Sequence, residues 1–211
     1  MRELELIGLI CSRLCHDLIS PIGAVYNGIE VMKEDDDPDM RARAIELMTD
    51  STVLAIARLK FYRLAFGGSG GPEIGISMVE ARAALSEFLA GGRIEVNWSD
   101  RFVGPELELP KSLIKLLLNL AVVVAEALLR GGKLKIELSV SGNRHEISLV
   151  GEGDHVSFDD TNALALAGGS VDYETSPRLA PAAFAGQIVK EIGGKINHSV
   201  SENSISIVFS S

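Results

Sequence analysis

One stretch of the sequence, 11-CSRLCHDLISPIGAVYNG-28, brings together residue types that could do chemistry. It contains a histidine, His16, an acid directly after it, Asp17, and a proline five residues on, Pro21. Neutral imidazole is a nucleophile near pH 7, and its attack on a phosphoryl group gives a phosphoramidate that can be passed on. An adjacent acid can orient the ring or stabilise the imidazolium. The alternative is a histidine exposed on a helix without a duty, the more common case for a histidine taken alone.

Two long helices must position His16. Residues 3–33 carry an apolar heptad pattern, the acidic turn 34-EDDDPD-39 interrupts it, and a second pattern covers residues 38–66. The heptad places His16 opposite the packed seam. The residues that share this exposed ridge by their spacing are Ser12, Ser20, Gly23 and Asn27. Because such a hairpin buries only part of its apolar surface against itself, we expect two copies to form a four-helix bundle, as a homodimer.

Pro21 lies inside the first predicted helix. Proline there costs about 3 kcal/mol, because it lacks an N–H and its ring clashes with the carbonyl four residues back, which belongs to Asp17. We expect Pro21 to free that carbonyl and to bend the helix one turn after His16. Arg13 could steer a phosphoryl group or a partner's acids, or be a solvated helix arginine. Ser20 could touch a partner's active site, although we favour a small residue that avoids a clash.

The glycine-rich segment 67-GGSGGPEIG-75 divides the 211 residues, and it predicts a helical domain over 1–68 and a second domain over 72–211. The net charge of −9 argues against a nucleic-acid partner. No uninterrupted apolar run approaches the roughly 18 residues that span a bilayer. The start of the chain lacks a signal peptide's basic region. We therefore expect a cytoplasmic protein without a membrane partner.

The second domain alternates helix-like and strand-like patterns. Together they predict an α+β fold, a sandwich with helices on one side of a mixed sheet. The predicted helices cover residues 77–90, 110–130, 158–167 and 179–192. The predicted strands cover residues 93–98, 133–140, 144–150, 195–200 and 204–209.

Other chemistry that the histidines and cysteines could support is less well founded. Cys11 and Cys15 lie four apart on a predicted helix, so a reduced pair is the default. Cys11 to His16 also resembles a stretched haem-attachment motif, or part of a Cys/Cys/His metal site. The haem interpretation needs export, and the metal interpretation lacks a fourth ligand nearby. The remaining histidines, interpreted as structural or surface residues, are His145, His155 and His198.

The residues His16 to Pro21 resemble the H-box of sensor histidine kinases, H-[DE]-L-x-[ST]-P. The longer stretch over residues 11–32 closely resembles the alphaproteobacterial histidine phosphotransferases of the ChpT family. The second domain resembles the ATP-binding domain of the kinases. The resemblance implies that His16 is the phospho-acceptor and Asp17 its orienting acid. It also implies that Arg13, Pro21 and the residues of the exposed ridge support the site or dock a partner.

The nucleotide-binding motifs of the kinases are incomplete here. The kinase N-box carries a second asparagine that coordinates magnesium; Asn119 matches its first asparagine, whereas Val123 stands at the second and offers no oxygen. In the D-x-G-x-G motif, Gly151 replaces the aspartate that reads adenine and His155 replaces the last glycine. The segment 175-TSPRLAPAAFAG-186 lacks the phosphate-binding glycine cluster. The resemblance therefore implies a degenerate ATP-binding domain, with no cofactor and no metal on this chain.

By this resemblance the chain is a phosphotransferase in a phosphorelay of two-component signalling and cell cycle regulation. The receiver domain of a CckA-like hybrid histidine kinase would phosphorylate His16, and CtrA-like and CpdR-like response regulators would accept the phosphate. Magnesium would sit in the receiver domain. A catalytically silent dimeric adaptor and, less favoured, an ATP-dependent histidine kinase are the alternatives.

Overall fold

The structure is a computed structural model. It describes residues 3–67, 76–99, 108–142, 144–169 and 176–211. The glycine-rich segment that predicts a domain boundary lies mostly outside the described residues. The division into 1–68 and 72–211 therefore stays a prediction.

Two helices, α1 (Glu3–Glu34) and α2 (Pro38–Ala65), form an antiparallel hairpin at the start of the chain. Their bounds confirm the two helices predicted over 3–33 and 38–66. The Asp37 side chain caps α2, since its carboxylate accepts the Asp39 N–H at 3.0 Å, and Pro38 occupies the first turn, where a missing N–H costs nothing. The predicted turn therefore both ends α1 and starts α2.

The hairpin helices approach most closely at Gly28. A Cβ atom there would lie 2.4 Å from the Met48 Cγ and 3.3 Å from the Ala44 carbonyl oxygen, so only glycine fits. Four residues of α1 are buried: Leu9, Arg13, Pro21 and Gly28. Several apolar residues of the heptad pattern are exposed instead, among them Leu4, which is 82% exposed, Ile7, Ile22 and Ile29. Within one chain, α1 therefore keeps a largely unburied apolar face.

The second part of the chain contains a five-stranded sheet in the order β2-β4-β5-β7-β6. β2 runs parallel to β4, and the other neighbours are antiparallel, so the sheet is mixed as predicted. The strands are β2 (Ile94–Trp98), β4 (Gly132–Ser141), β5 (Arg144–Glu152), β6 (Lys195–Val200) and β7 (Ser204–Ser210). A two-stranded ribbon, β1 (Ile76–Ser77) with β3 (Glu108–Leu109), was not predicted, because two residues are too few to show alternation.

The helices of this part match the predicted ones. They are α3 (Met78–Leu89), α4 (Lys111–Ala127), α5 (Asp160–Leu166) and α6 (Ala180–Ile192), with a 3₁₀ turn at Pro177–Leu179. The core-facing residues of β4 alternate with exposed ones, while α4 is buried along most of its length. This is the α+β sandwich that the sequence predicts, with α4 at its centre.

The hairpin and the sandwich share one apolar core. Leu9, Phe61 and Tyr62 belong to the same cluster of packed side chains as α4 and the sheet. Phe61 stacks on Phe88 of α3, with ring centroids 4.1 Å apart. The two parts are therefore held together by packing, which brings α4 close to the middle of α1.

Among the described helices, α1 alone is long and apolar enough to cross a membrane by length and composition. This corrects the expectation that no segment approaches that limit: the expectation counted uninterrupted apolar residues, whereas an 18-residue window of α1 averages a hydropathy of 1.3. One such helix near an N-terminus is weak evidence for a membrane span.

Candidate phospho-acceptor site

His16 lies in the middle of α1 with 58% of its side chain exposed, so another protein can reach the ring. The ring Nδ1 lies 2.8 Å from the Asp17 Oδ1. An ionised carboxylate can only accept hydrogen bonds, so Nδ1 must carry the proton in this pair. The lone pair is then on Nε2. The geometry leaves Nε2 as the nucleophilic atom of the ring.

Asp17 is held by several groups at once. The Arg13 Nε donates to Oδ2 at 2.8 Å, and the Tyr62 hydroxyl donates to the same oxygen. Burial opposes ionisation of Asp17, but the Arg13 charge and the hydrogen bonds from Tyr62, His16 and Arg13 outweigh it, so the pKa of Asp17 lies below its ordinary value. Burial and the bond to Asp17 raise the pKa of Tyr62, which keeps its hydroxyl a donor. Asp17 is thus an oriented carboxylate, ionised at neutral pH.

Pro21 leaves one carbonyl of α1 without its helical hydrogen bond, and a side chain of α2 supplies the donor instead. Helix α1 continues through Pro21, which cannot donate to the Asp17 carbonyl four residues back. The guanidinium of Arg58 donates to that carbonyl oxygen from across the hairpin. The freed carbonyl expected from the sequence is therefore present, and it anchors α1 to α2 directly beside His16. Pro21 itself is buried, so its ring is not exposed on the surface of this chain.

Arg13 is buried, so the interpretation of it as a solvated helix arginine is wrong, and its burial also argues against a direct contact with a partner's acids. Its side chain is 5% exposed, so it is neither solvated nor free to meet a partner. Its Nη2 donates to the Glu126 Oε1 on α4 at 2.5 Å, and its Nε lies 3.2 Å from the Tyr62 hydroxyl. Burial disfavours the charge, but Glu126, Tyr62 and Asp17 more than offset this and raise the pKa of Arg13. A heptad position alone could not reveal this, because the partner comes from α4.

The residues predicted to share the exposed ridge do lie on the open side of α1. Ser12, Ser20 and Asn27 are exposed, and Gly23 is half-buried with open space where a Cβ atom would stand. None of these four side chains makes a described contact with the Asp17 network. Their predicted part in docking a partner stays a prediction.

The positions that replace the kinase motifs serve the core of the sandwich. Asn119 is fully buried, and its Nδ2 donates to the Ala65 carbonyl at 3.0 Å, which ties α4 to the end of α2. Gly151 lies in β5, where a Cβ atom would come within 2.6 Å of the Val124 Cγ1. His155 is exposed in the loop after β5. At Gly151, therefore, no side chain can be added without moving the core.

A cleft of about 370 Å³ opens between α4, α5 and the 3₁₀ turn. Val123 lines it where a magnesium ligand would be expected, and Phe158 and Leu179 add further apolar surface. Glu126, whose Oε1 accepts a hydrogen bond from Arg13, also lines this cleft. This chain therefore carries valine and glycine at the positions of the magnesium-binding asparagine and the adenine-binding aspartate of the kinase motifs.

Three side chains that bind Asp17 or Arg13 were not predicted from the sequence to belong to the site: Arg58, Tyr62 and Glu126. Tyr62 lies within the apolar pattern over residues 38–66, although its hydroxyl is a donor to Asp17. Arg58 precedes it by one helical turn, so the two share a face of α2. Glu126 is a lone acid in the apolar run 121-AVVVAEALL-129, and a charge in such a run was the available signal.

Among the described residues, the two cysteines and the histidines do not form a metal site. Cys11 and Cys15 are free thiols on the exposed face of α1. Within the part of the chain that the structure describes, no group of three or more His, Cys, Asp or Glu side chains is placed to hold a metal ion.

Comparisons with known proteins agree with the fold and identify the family. Residues 78–204 match the family model of the histidine phosphotransferase C-terminal domain. The protein phosphotransferase ChpT of Brucella abortus (strain 2308) is 38% identical over 144 residues, 67% of this chain and 64% of that protein, so the match spans less than two thirds of the relative's length.

Solved structures share the whole architecture. A bacterial phosphotransferase solved at 1.7 Å is 29% identical, with a TM-score of 0.83 over 99% of this chain and 97% of that chain. Full-length ShkA in complex with AMPPNP shares the fold at 16% identity, with a TM-score of 0.50 over 100% of this chain and 46% of that chain. The chain, with its helical hairpin followed by an α/β sandwich, belongs to the histidine phosphotransferase family.

Proposed function

We propose that this chain relays phosphoryl groups: His16 accepts one from the phosphorylated aspartate of a receiver domain and passes it to the receiver domain of a response regulator. The observation that carries the proposal is the exposed imidazole whose Nδ1 is bound by Asp17 at 2.8 Å, which leaves Nε2 free. Kinship with the protein phosphotransferase ChpT supports the same chemistry.

The reaction follows from this arrangement. The Nε2 lone pair attacks the phosphorus of the aspartyl phosphate, the P–N bond forms, and the bond between phosphorus and the aspartyl oxygen breaks, releasing the carboxylate. The ring becomes cationic, because Nδ1 keeps its proton, and the Asp17 carboxylate stabilises that charge. The return step is the reverse attack by another receiver's aspartate. Catalysis by this chain is positioning, and the receiver's magnesium supplies the charge stabilisation on the phosphoryl group.

Transfer of label tests the proposal. The protein is incubated with a radiolabelled, phosphorylated receiver domain, and we expect label on this chain that is labile to acid and stable to alkali. His16→Ala should take no label, while His155→Ala, which removes an exposed histidine of the sandwich, should keep its label. If the wild type takes none from a competent receiver, the chain is instead a silent adaptor. If the His16→Ala variant is labelled, another residue is the acceptor.

We also propose that the chain does not use ATP and carries no cofactor or metal of its own. Support comes from Val123 in the cleft and from Gly151, whose surroundings leave no room for a carboxylate. Titration with a fluorescent ATP analogue and magnesium should show no saturation in the micromolar range. Magnesium-dependent binding there would favour the kinase alternative.

The unburied apolar faces of the hairpin support a homodimer. On α1 and α2 they contain exposed residues at helical spacing that a second hairpin would cover in a four-helix bundle. The residues are Leu4, Ile7, Ile22, Ile29, Ile45, Ile56 and Leu59. Sedimentation should give a dimer for the wild type and a monomer for an Ile22→Lys, Ile56→Lys double variant.

The family also supports the proposed setting. We infer a cytoplasmic role in two-component signalling, with a CckA-like hybrid kinase as donor and CtrA-like and CpdR-like regulators as acceptors, in cell cycle regulation. Transfer rates from and to these receiver domains, compared with rates for unrelated receivers, test the partner choice. Equal rates for all receivers would contradict it.

A further inference from the structure

We propose that Arg13 and Glu126 form a positioning pair, through which the α/β sandwich holds Asp17 and thereby sets the orientation of the His16 ring. The inference rests on the proposed phosphoryl relay, and it assigns to α4 a role at that site that needs no nucleotide.

A continuous series of hydrogen bonds leads from α4 to the reactive ring. The Glu126 Oε1 lies 2.5 Å from the Arg13 Nη2, and the Arg13 Nε lies 2.8 Å from the Asp17 Oδ2. The Asp17 Oδ1 lies 2.8 Å from the His16 Nδ1. The two carboxylate oxygens of Asp17 thus have different partners: Oδ2 accepts from Arg13 and Tyr62, and Oδ1 accepts from the His16 ring. Because the carboxylate is rigid, the position of Arg13 determines the direction in which Oδ1 faces the ring.

Arg13 needs both of its carboxylates. Among the residues that the structure describes, it is the only buried charged side chain, and its Nη1 has no hydrogen-bond partner there. A buried guanidinium is tolerated only when opposite charges and hydrogen bonds compensate its lost hydration. When Glu126 loses its charge, Asp17 becomes the only carboxylate that contacts the guanidinium. The guanidinium then draws closer to Asp17, and the carboxylate turns away from His16.

This pair differs from the other ion pairs that join the hairpin to the sandwich. Lys60 bonds to Glu87 at 3.1 Å and Arg63 bonds to Glu80 at 2.9 Å, and all four of these side chains are well exposed. Exposed pairs of this kind contribute little because water and salt screen them. They also do not touch Asp17. Glu87→Gln therefore provides a matched control, since it removes an acid that pairs between the same two parts of the protein.

The test compares Glu126→Gln and Glu87→Gln in the full-length chain. Glutamine keeps the shape and an acceptor oxygen at position 126 and removes only the charge. We expect Glu126→Gln to slow single-turnover transfer from a phosphorylated receiver about tenfold, the order expected for a small misplacement of a reacting group. The half-saturating receiver concentration should not change. Glu87→Gln should stay within about twofold of the wild type, as a screened pair predicts.

A spectroscopic readout separates positioning from a loss of structure. In ¹⁵N-histidine NMR at pH 8.5, the wild-type His16 signals, identified by their absence in His16→Ala, should report the tautomer with the proton on Nδ1. Glu126→Gln should shift the population toward the other tautomer, and Glu87→Gln should not. Tyr62→Phe, which removes one donor to Asp17 together with the hydroxyl 3.2 Å from the Arg13 Nε, should shift it in the same direction.

Each outcome decides the inference. A wild-type tautomer in Glu126→Gln overturns it, whether transfer is normal or slow, because a slow variant with an unchanged ring has lost something other than positioning. A shifted tautomer with slow transfer supports it. The NMR measurement needs no phosphate. If the wild type takes no label but the tautomer still depends on Glu126, the relay fails as the function and the positioning pair stands.

Discussion

The surroundings of His16 and the cleft beside α4 differ strongly in their polar side chains. Beside His16, residues of two helices hold Asp17: Arg13 of α1 and Tyr62 of α2 bind its carboxylate, and Arg58 of α2 binds its backbone carbonyl. Val123 lines the cleft beside α4, and Gly151 lies in β5 against Val124 of the same helix, at the two positions where the kinase motifs that this sequence resembles carry an asparagine and an aspartate. The polar chemistry is dense at the acceptor and missing at these two nucleotide positions. The sandwich thus contributes a polar side chain, Glu126, to the network at the acceptor, whereas the two positions of the kinase motifs carry none.

The largest expected effect comes from restoring the adenine-reading acid. Gly151→Asp would place a Cβ atom 2.6 Å from the Val124 Cγ1 and a carboxylate in the core. Overpacking and an unpaired buried charge together should cost about 4 kcal/mol or more, measured by urea denaturation. Gly8→Ala, where a Cβ atom meets nothing within 4 Å, serves as the control and should not destabilise the fold. A stable Gly151→Asp protein that binds ATP would remove the contrast between the two regions.

Asp17→Asn should affect the acceptor almost as strongly. The amide can donate to Nδ1, which would place the ring proton on Nε2 and block the nucleophile, and it cannot stabilise the imidazolium. We expect single-turnover transfer to fall about 100-fold, equivalent to about 2.7 kcal/mol in the barrier. Receiver binding, followed by titration, should be unaffected. A rate within threefold of the wild type would show that Asp17 neither orients nor stabilises the ring.

The Arg58 anchor predicts a smaller effect that depends on Pro21. Arg58→Met leaves the Asp17 carbonyl without its donor and should lower the free energy of unfolding by about 1–3 kcal/mol. In a Pro21→Ala background the restored helical N–H can bond to that carbonyl, so the same Arg58→Met change should cost less. A double-mutant cycle by urea denaturation measures the coupling. Additive effects would mean that Arg58 does not replace the missing helical bond.

The smallest effect is the acid dependence of stability. The pKa of Asp17 lies below its ordinary value in the folded chain, so its contribution to stability is present above its unfolded pKa and is lost as the pH falls through the folded value. The stability difference between the wild type and Asp17→Asn should therefore be constant near pH 6 and shrink below about pH 4. Urea midpoints at several pH values measure it. A difference that grows in acid would contradict the ion pair with Arg13.

Much of this protein was readable from residue order alone. The helices of the hairpin, the main strands and the role of α4 as a buried helix follow from apolar periodicity, and the structure confirms them. The pairing of His16 with Asp17 is also local, because the two residues are adjacent. Tertiary structure alone decided that Arg13 is buried, that Arg58 fills the carbonyl freed by Pro21, and that Glu126 reaches the site. Glu126 lies 113 residues from Arg13, and Arg58 lies 41 residues from Asp17. Apolar periodicity describes one helix or strand at a time, so it does not predict these contacts. Which charges meet is set by how the elements pack.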